Sequence, residues 1–301
     1  MGSYSDALEK QLATIQYIDS GKAEELVSIM FRARGSDVFR NTSLTVDEQI
    51  KYYMKFFRPA VKTGKTYYWS PELCRVLEGA AAQIPDFTLT PDLLPTPSGF
   101  VIFDKPLVNG WSADLPLEGL TWIKMTDMDR RGASGVAFFA LISGRSIPYA
   151  MPTVDIFWDY GKSSQDLLTL ARKSKTSDPE FFGLLQIFGT MLLFLKQEIL
   201  VSPETTVNRA LRRRMETDTR LKLEPVVRVI ELRRRVYSSH PASEHTGATE
   251  FACQWMVRGH WRQQWYPSLN RHQPKWIMPY VKGPEDKPLK PPSATVFAVV
   301  R

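Results

Sequence analysis

The sequence predicts an α+β fold in which an N-terminal helical segment precedes an antiparallel β-sheet packed on one long buried helix. Three observations lead to this prediction. Apolar residues recur at helical spacing through the N-terminal segment. Short apolar runs separated by Gly, Pro and Asp follow over residues 99–158, at the spacing of an antiparallel meander. The run 181–195 is apolar on every side, which a helix can be only when other elements cover it.

The N-terminal segment, residues 1–62, is predicted to contain three helices. Residues 5–18 and residues 22–31 place their apolar side chains near the helical period. The third helix begins at Thr45, because Thr45 and Glu48 have the spacing of a capping box.

Pro59 predicts the end of that third helix, since proline interrupts helical hydrogen bonding. A further helix begins at Ser70, which is followed by proline at the first helical position. We expect residues 63–301 to form an α+β domain whose C-terminal third, 201–301, is basic.

The predicted strands are short runs rich in β-branched and aromatic residues, bounded by turn-forming residues. They cover 99–103, 120–125, 136–142, 153–158 and 226–232, with further strands near 252–261, 275–281 and 294–300. The polar residues 238–249 predict a loop.

The basic residues are concentrated in the last third of the chain. Residues 1–200 carry 21 Lys+Arg and 23 Asp+Glu, a balance of −2, whereas residues 201–301 carry 18 and 9, a balance of +9. The net charge of +7 therefore belongs to the C-terminal third. This indicates either a polyanionic partner or a solvated basic face.

The stretch from Trp255 to Tyr280 combines cations with large aromatic residues. It contains four of the eight Trp residues, two of the four His residues and three Arg residues. Such side chains can stack on bases and contact phosphates. They can equally form the core of a hairpin with a basic edge.

Alternation along this stretch predicts a row of polar side chains. A period of two places Arg258, His260 and Arg262 on one face of a strand, and Arg271 and His272 follow downstream. The row suits contact with a phosphodiester, and His260 is also a weak candidate for acid–base catalysis in a metal-independent ribonuclease. The alternative is an outward-facing polar row with His260 hydrogen-bonded to backbone. We expect contact rather than catalysis.

A second basic cluster lies upstream, in residues 207–216. If this segment is helical, Arg209, Arg212 and Arg213 share one face and can follow a phosphate backbone. The alternative is a solvated helix.

The sequence predicts no cofactor, no metal and no membrane association. Residues 64–66 end like a phosphate loop, but Pro59 replaces the first glycine of that motif. Cys253, His260 and His272 have no diagnostic metal-ligand spacing and lack a fourth ligand. Two isolated Cys fit buried thiols in a reducing compartment, and the most apolar run is short for a membrane span. We therefore expect a cytoplasmic protein.

Several phrases of the sequence resemble one family. They include Val257-Arg-Gly-His-Trp-Arg-Gln-Gln-Trp-Tyr-Pro-Ser-Leu and Trp276-Ile-Met-Pro-Tyr-Val-Lys-Gly-Pro. These phrases resemble a group of uncharacterised proteins encoded by actinobacterial chromosomes, plasmids and phages. The resemblance covers about residues 66–301. It implies a bacterial or phage protein of a mobile element, and it implies no role for any single residue.

These observations predict a nucleic-acid-binding protein that makes non-catalytic contact through a basic, Trp-rich C-terminal surface, with a metal-independent ribonuclease as an open alternative. The expected contact residues are the basic side chains of both clusters. They are Arg209, Arg212, Arg213, Arg258, His260, Arg262, Arg271 and His272. The alternative is a protein-interaction role, or a structural or regulatory role in a phage, in which the Trp residues anchor a protein partner.

Overall fold

The structure is a computed structural model that describes residues 4–34, 45–107, 116–126, 134–144, 147–151, 155–173, 179–197, 200–201, 203–217, 223–232, 253–284 and 287–289. The loop predicted over 238–249 and the strand predicted near 294–300 lie outside these residues. The chain divides into two compact units, residues 1–233 and residues 234–301.

The described part of the first unit contains seven α-helices and a nine-stranded sheet, which confirms the α+β class. The helices are Tyr4–Asp19 (α1), Lys22–Arg34 (α2), Val46–Thr63 (α3), Pro71–Ala81 (α4), Ser164–Lys173 (α5), Pro179–Leu195 (α6) and Arg209–Thr217 (α7). The strands are Lys65–Trp69 (β1), Ser98–Leu107 (β2), Leu117–Met125 (β3), Gly135–Gly144 (β4), Ile147–Met151 (β5), Asp155–Asp159 (β6), Leu200–Val201 (β7), Glu204–Thr206 (β8) and Val226–Leu232 (β9).

The sheet of the first unit is mixed rather than wholly antiparallel. Its strands lie in the order β5-β4-β3-β2-β1-β9-β7, with β6 also paired to β4 and β8 to β9. Pairing is antiparallel from β2 through β4 and on to β5 and β6, as expected, but β1 pairs parallel with both β2 and β9. The crossover that parallel pairing requires is available, because α4 lies between β1 and β2 in the chain.

Both faces of this sheet are covered by helices. Phe138 and Phe139 are neighbours on β4, so their side chains point to opposite faces. Phe139 meets Tyr53 and Phe57 of α3 edge-on, with ring centroids 5.1 and 5.4 Å apart. Phe138 stacks on Phe188 of α6 at 4.0 Å. Burial on both faces explains why β4 is a continuous apolar run rather than an alternating one.

Helix α6 carries the most apolar segment of the chain. Leu184, Phe188, Leu192 and Phe194 are among its buried residues, and the helix packs against α4, α5 and β6. Within the described residues, no helix is both long and apolar enough to cross a membrane.

The capping box predicted at the start of α3 is present. The Glu48 amide donates to Thr45 Oγ1 at 3.3 Å, and the Thr45 amide donates to Glu48 Oε2 at 2.7 Å. The hydrogen bond from the Thr45 backbone, followed by the one from its hydroxyl, lowers the pKa of the Glu48 carboxyl.

Helix α3 continues past Pro59 to Thr63, so the predicted end at Pro59 is wrong. Proline removes one backbone donor and crowds the preceding turn. The next turn is nevertheless held in the core, because Ala60 and Val61 are fully buried. The Thr63 hydroxyl also donates to the Pro59 carbonyl at 2.9 Å. Tertiary burial therefore outweighs the local helix-ending signal.

We expect Gly99→Ala to destabilise the first unit. Gly99 lies on β2 where a Cβ would come within 2.1 Å of the Trp122 ring, and that ring is fully buried. Over-packing of this kind costs about 1–3 kcal/mol of the free energy of unfolding, which urea denaturation would measure.

The matched control is Gly79→Ala in α4, where nothing lies within 4 Å of the new Cβ. Because alanine favours helix over glycine, this control should raise the free energy of unfolding by roughly 0.5–1 kcal/mol. Equal stability of the two variants would contradict the packing described at Gly99.

Candidate nucleic-acid interface

The described part of the second unit is built from two antiparallel ribbons. Strands Trp255–Val257 (β10) and Tyr280–Lys282 (β13) form the first ribbon. Strands His260–Tyr266 (β11) and Arg271–Ile277 (β12) form the second, which we name the basic hairpin (residues 260–277).

A four-residue connection closes the basic hairpin. Pro267–Leu269 forms one 3₁₀ turn, and Asn270 adopts the left-handed conformation with φ 47° and ψ 40°. Asparagine tolerates this conformation better than most residues. The Asn270 amide donates to the Pro267 carbonyl at 3.2 Å, which fixes the register of the two strands.

One side of the hairpin, which we name the cationic face, gathers basic and amide side chains. Directly opposed residues share a face, and Arg262 opposes Lys275 while Gln264 opposes Gln273. Arg262 Nη2 donates to Gln264 Oε1 at 2.5 Å. Arg271 donates from Nε and Nη2 to the Gln273 side-chain oxygen at 3.1 and 2.8 Å, with the amide oriented to accept. The amides thus hold two guanidinium groups on one surface.

The other side, which we name the aromatic face, carries Trp261, Trp265, His272 and Trp276. Trp261 and Trp276 oppose each other and meet edge-on at 5.4 Å. Trp276 is 5% exposed, and a Cβ on Gly259 would come within 2.5 Å of its ring. Trp265 opposes His272 at 5.0 Å and is 42% exposed. The first pair therefore forms the hairpin's core, and the second offers aromatic surface.

The segment 251–284 contains no Asp and no Glu. It carries cations at five positions, which are Arg258, Arg262, Arg271, Lys275 and Lys282. No carboxylate within this segment offsets their charge, although Glu250, Glu285 and Asp286 flank the segment directly.

The structure brings together some of the expected contact residues and separates others. Arg262 and Arg271 share the cationic face with His260, whereas His272 lies on the aromatic face. Arg258 precedes β11, outside the strand. Lys275 joins the cationic face although the sequence reasoning did not select it. The register would have identified it, because Lys275 opposes Arg262 once the turn at 267–270 is placed.

His260 shows the geometry of a surface residue. Its Nδ1 is hydrogen-bonded to the Arg258 carbonyl at 3.0 Å, and its side chain is exposed. His260 and His272 lie on opposite faces of the hairpin, so they are poorly placed to act on one group or to bind one metal ion. The described residues include no cluster of three or more His, Cys, Asp or Glu side chains that could hold a metal ion.

The second basic cluster lies on a helix, α7, which meets the condition under which its three arginines share a face, and it belongs to the first unit. Helix α7 begins after Asn208, whose Oδ1 accepts from the Leu211 amide at 2.9 Å. Leu211 and Met215 are buried in the core. The exposed side carries the three expected arginines, Arg209, Arg212 and Arg213. Arg212 pairs with Glu216 at 3.7 Å, so its charge is partly offset.

A shallow cleft of the first unit also holds charged residues. Its lining includes Lys65, Glu224 and Arg228. Lys65 pairs with Glu224, and Arg228 pairs with Glu204 at 2.7 Å. The Lys65 side chain lowers the pKa of the Glu224 carboxyl by hydrogen bonding. Lys65, Glu224 and Arg228 are thus engaged in ion pairs, although Arg228 Nη1 is buried without a hydrogen-bond partner among the described residues.

A buried titratable group lies near the end of β1. The Tyr68 hydroxyl donates to the Asp104 carboxylate, and burial, followed by this hydrogen bond, raises the pKa of Tyr68.

Cys74 is buried and donates to the Trp69 carbonyl at 3.6 Å. Burial raises the pKa of its thiol to about 11. Because the thiolate is the reactive form, this cysteine is not an activated nucleophile. Cys253, in the second unit, is half-buried.

No protein-family model matches this sequence, and no curated protein matches it either. Among solved structures, the chain is similar to the one described as "Crystal structure of AcrVA2", with 12% sequence identity and a TM-score of 0.45. The similarity covers 92% of this chain and 98% of that chain. A likeness this distant carries no argument about activity or partners.

We expect the free energy of unfolding to fall as pH rises above about 8.5, the ordinary pKa of cysteine. The folded-state pKa of Cys74 is raised, to about 11, so the folded protein holds this proton more tightly than the unfolded chain. The stabilisation is complete below the lower pKa and is lost as pH rises through the higher one. Urea denaturation between about pH 8 and about pH 10 would measure a contribution of up to about 1.4 kcal/mol per pH unit.

Cys74→Ala should remove this part of the decline, whereas the control Cys253→Ala should keep it. Superimposable pH profiles for the wild type and Cys74→Ala would show that the Cys74 thiol does not titrate as described.

Proposed function

We propose that this protein binds nucleic acid without catalysis, through phosphate contacts made by the cationic face of the basic hairpin. The observation that carries the proposal is the register that sets Arg262 against Lys275, on the same face as Arg271, in a segment without carboxylates. Guanidinium groups suit phosphate because they donate two parallel hydrogen bonds to it.

The opposition of Arg262 and Lys275 supports this proposal energetically. Directly opposed side chains in an antiparallel pair have Cβ atoms about 5 Å apart, and like charges there are destabilising. A phosphate between them would convert this repulsion into two attractions. An anion bound between these two side chains would therefore stabilise the hairpin.

Helix α7 offers a second basic surface for the same class of ligand. Arg209 and Arg213 are exposed, and Arg212 is partly engaged by Glu216. We assign these arginines a weaker contribution than the hairpin, because Glu216 adds a negative charge beside them.

We also propose that the protein is of bacterial or phage origin, is encoded by a mobile element and is cytoplasmic. The resemblance of the C-terminal phrases to proteins of actinobacterial chromosomes, plasmids and phages supports the origin. The location follows from the ligand, since bacterial nucleic acid lies in the cytoplasm.

A protein-interaction role is the second candidate, and one observation favours it. Met256 and Val281 oppose each other on the ribbon of β10 and β13, and they are 57% and 47% exposed. An exposed apolar pair of this kind suits a protein partner. Capture from a bacterial lysate of a stoichiometric protein that survives nuclease treatment and is lost in Met256→Ser would support this role.

We expect binding of the full chain to RNA or DNA to weaken steeply with salt. Each neutralised phosphate contributes about −0.9 to the slope of log affinity against log salt on duplex DNA, and about −0.7 on single strands. Electrophoretic titration with single- and double-stranded RNA and DNA would measure this slope. The double substitution Arg262→Gln with Lys275→Gln should make it shallower by about 1.4–1.8, the sum for two contacts.

The control for this double variant removes two exposed lysines of the first unit, Lys22→Gln with Lys51→Gln. It changes the net charge equally and should leave the salt slope almost unchanged. Absence of any shift at low salt for all four nucleic acids would refute nucleic-acid binding. An equal loss in the control would refute the assignment to the hairpin.

A further inference from the structure

We infer that the nucleic acid is single-stranded where it meets the basic hairpin, and that one of its unpaired bases stacks on Trp265. This inference rests on the proposed function and specifies its substrate class. It concerns the aromatic face, which the phosphate contacts of the cationic face do not use.

The aromatic face holds two kinds of tryptophan. Trp261 and Trp276 oppose each other, and Trp276 is almost completely buried at 5% exposure. Trp265 is 42% exposed, although it lies on the same face of the same hairpin. Packing in the hairpin core therefore does not explain why residue 265 is a tryptophan.

The contact between Trp265 and His272 leaves ring surface for a ligand. The two rings are tilted by 57° with centroids 5.0 Å apart, so the imidazole does not lie flat over the indole. His272 is exposed as well. Together they form a small aromatic platform at the turn end of the hairpin.

The basic hairpin is only one backbone layer thick, so its two faces are close enough for one nucleotide strand. Trp265 follows Gln264 and precedes Tyr266, whose side chains lie on the cationic face with Arg271. A strand passing along this edge can place a base over Trp265 and the adjoining phosphate beside Arg271. Single-strand-binding surfaces combine these two elements, a cationic track and stacking rings.

A duplex cannot use both faces in this way. Its phosphates are on the outside and can meet Arg262 and Lys275, but its bases are paired and stacked inside. It therefore offers no ring face to Trp265. Stacking on an indole is tolerant of base identity, because every base has a π-face, so we expect little sequence preference at this site.

The test compares a labelled single strand with a duplex of the same length, by fluorescence anisotropy with the full chain. Stacking on one base is worth about 1–3 kcal/mol, so Trp265→Ala should weaken single-strand binding by about fivefold to 150-fold. Duplex affinity should stay unchanged. Trp265→Phe should retain most of the single-strand affinity, because the phenyl ring still stacks.

The matched control is Leu269→Ala, which removes another exposed apolar side chain at the same end of the hairpin. It should bind the single strand as the wild type does. The unfolding midpoint of each variant, measured beside the wild type, shows that a loss of affinity does not reflect unfolding. RNA and DNA versions of the single strand reveal whether the sugar contributes.

The outcomes separate this inference from the proposed function. Salt-dependent binding that is equal for single strand and duplex, and unchanged in Trp265→Ala, would overturn the single-strand inference and leave phosphate contact standing. Loss of all nucleic-acid binding at low salt would overturn both. A stoichiometric protein captured by the wild type but not by Trp265→Ala, with oligonucleotide binding unaffected, would assign Trp265 to a protein interface and overturn the inference.

Discussion

Burial of the main sheet on both faces is the constraint on which the first unit depends. Phe138 and Phe139, adjacent on β4, meet α6 on one side and α3 on the other. A strand in this position cannot alternate between apolar and polar residues, because neither face meets water. The same constraint accounts for the all-round apolar character of α6 and for the glycine at position 99, where the Trp122 ring fills the space of a side chain.

Much of this fold could be predicted from local patterns, but β1, an interior strand of the sheet, was not predicted from them. Strands β2, β3, β4, β6 and β9 and most helices follow from periodicity and caps, whereas β5, β7 and β8 were not predicted. β1, residues 65–69, was missed because it is short and lies between two strong helix signals. Its Tyr-Tyr-Trp run between Gly64 and Ser70 is nevertheless typical of a strand. Its parallel pairing depends on β9, more than 150 residues later, a contact that no local pattern contains.

In the candidate interface, too, local patterns predicted only part of the arrangement. The cross-strand pairing determined the other part. Alternation correctly grouped His260 with Arg262, since both lie on one strand. The remaining side chains of the two faces lie on the partner strand, β12. Lys275 joins the cationic face and His272 leaves it only because a turn of four residues sets the register. Sequence position alone does not supply that register. The opposition of the two like charges, Arg262 and Lys275, therefore could not be predicted from the sequence.

The two faces of the basic hairpin differ in what holds them together, and the ligand that we propose would bind to the cationic face. On the aromatic face, Trp261 and Trp276 supply the cross-strand contact that a small ribbon needs for stability. The cationic face adds repulsion between Arg262 and Lys275 instead of further attraction. Residues 251–284 contain no carboxylate, and Glu250, Glu285 and Asp286 flank them; the anionic partner that we propose would offset the charge of Arg262 and Lys275.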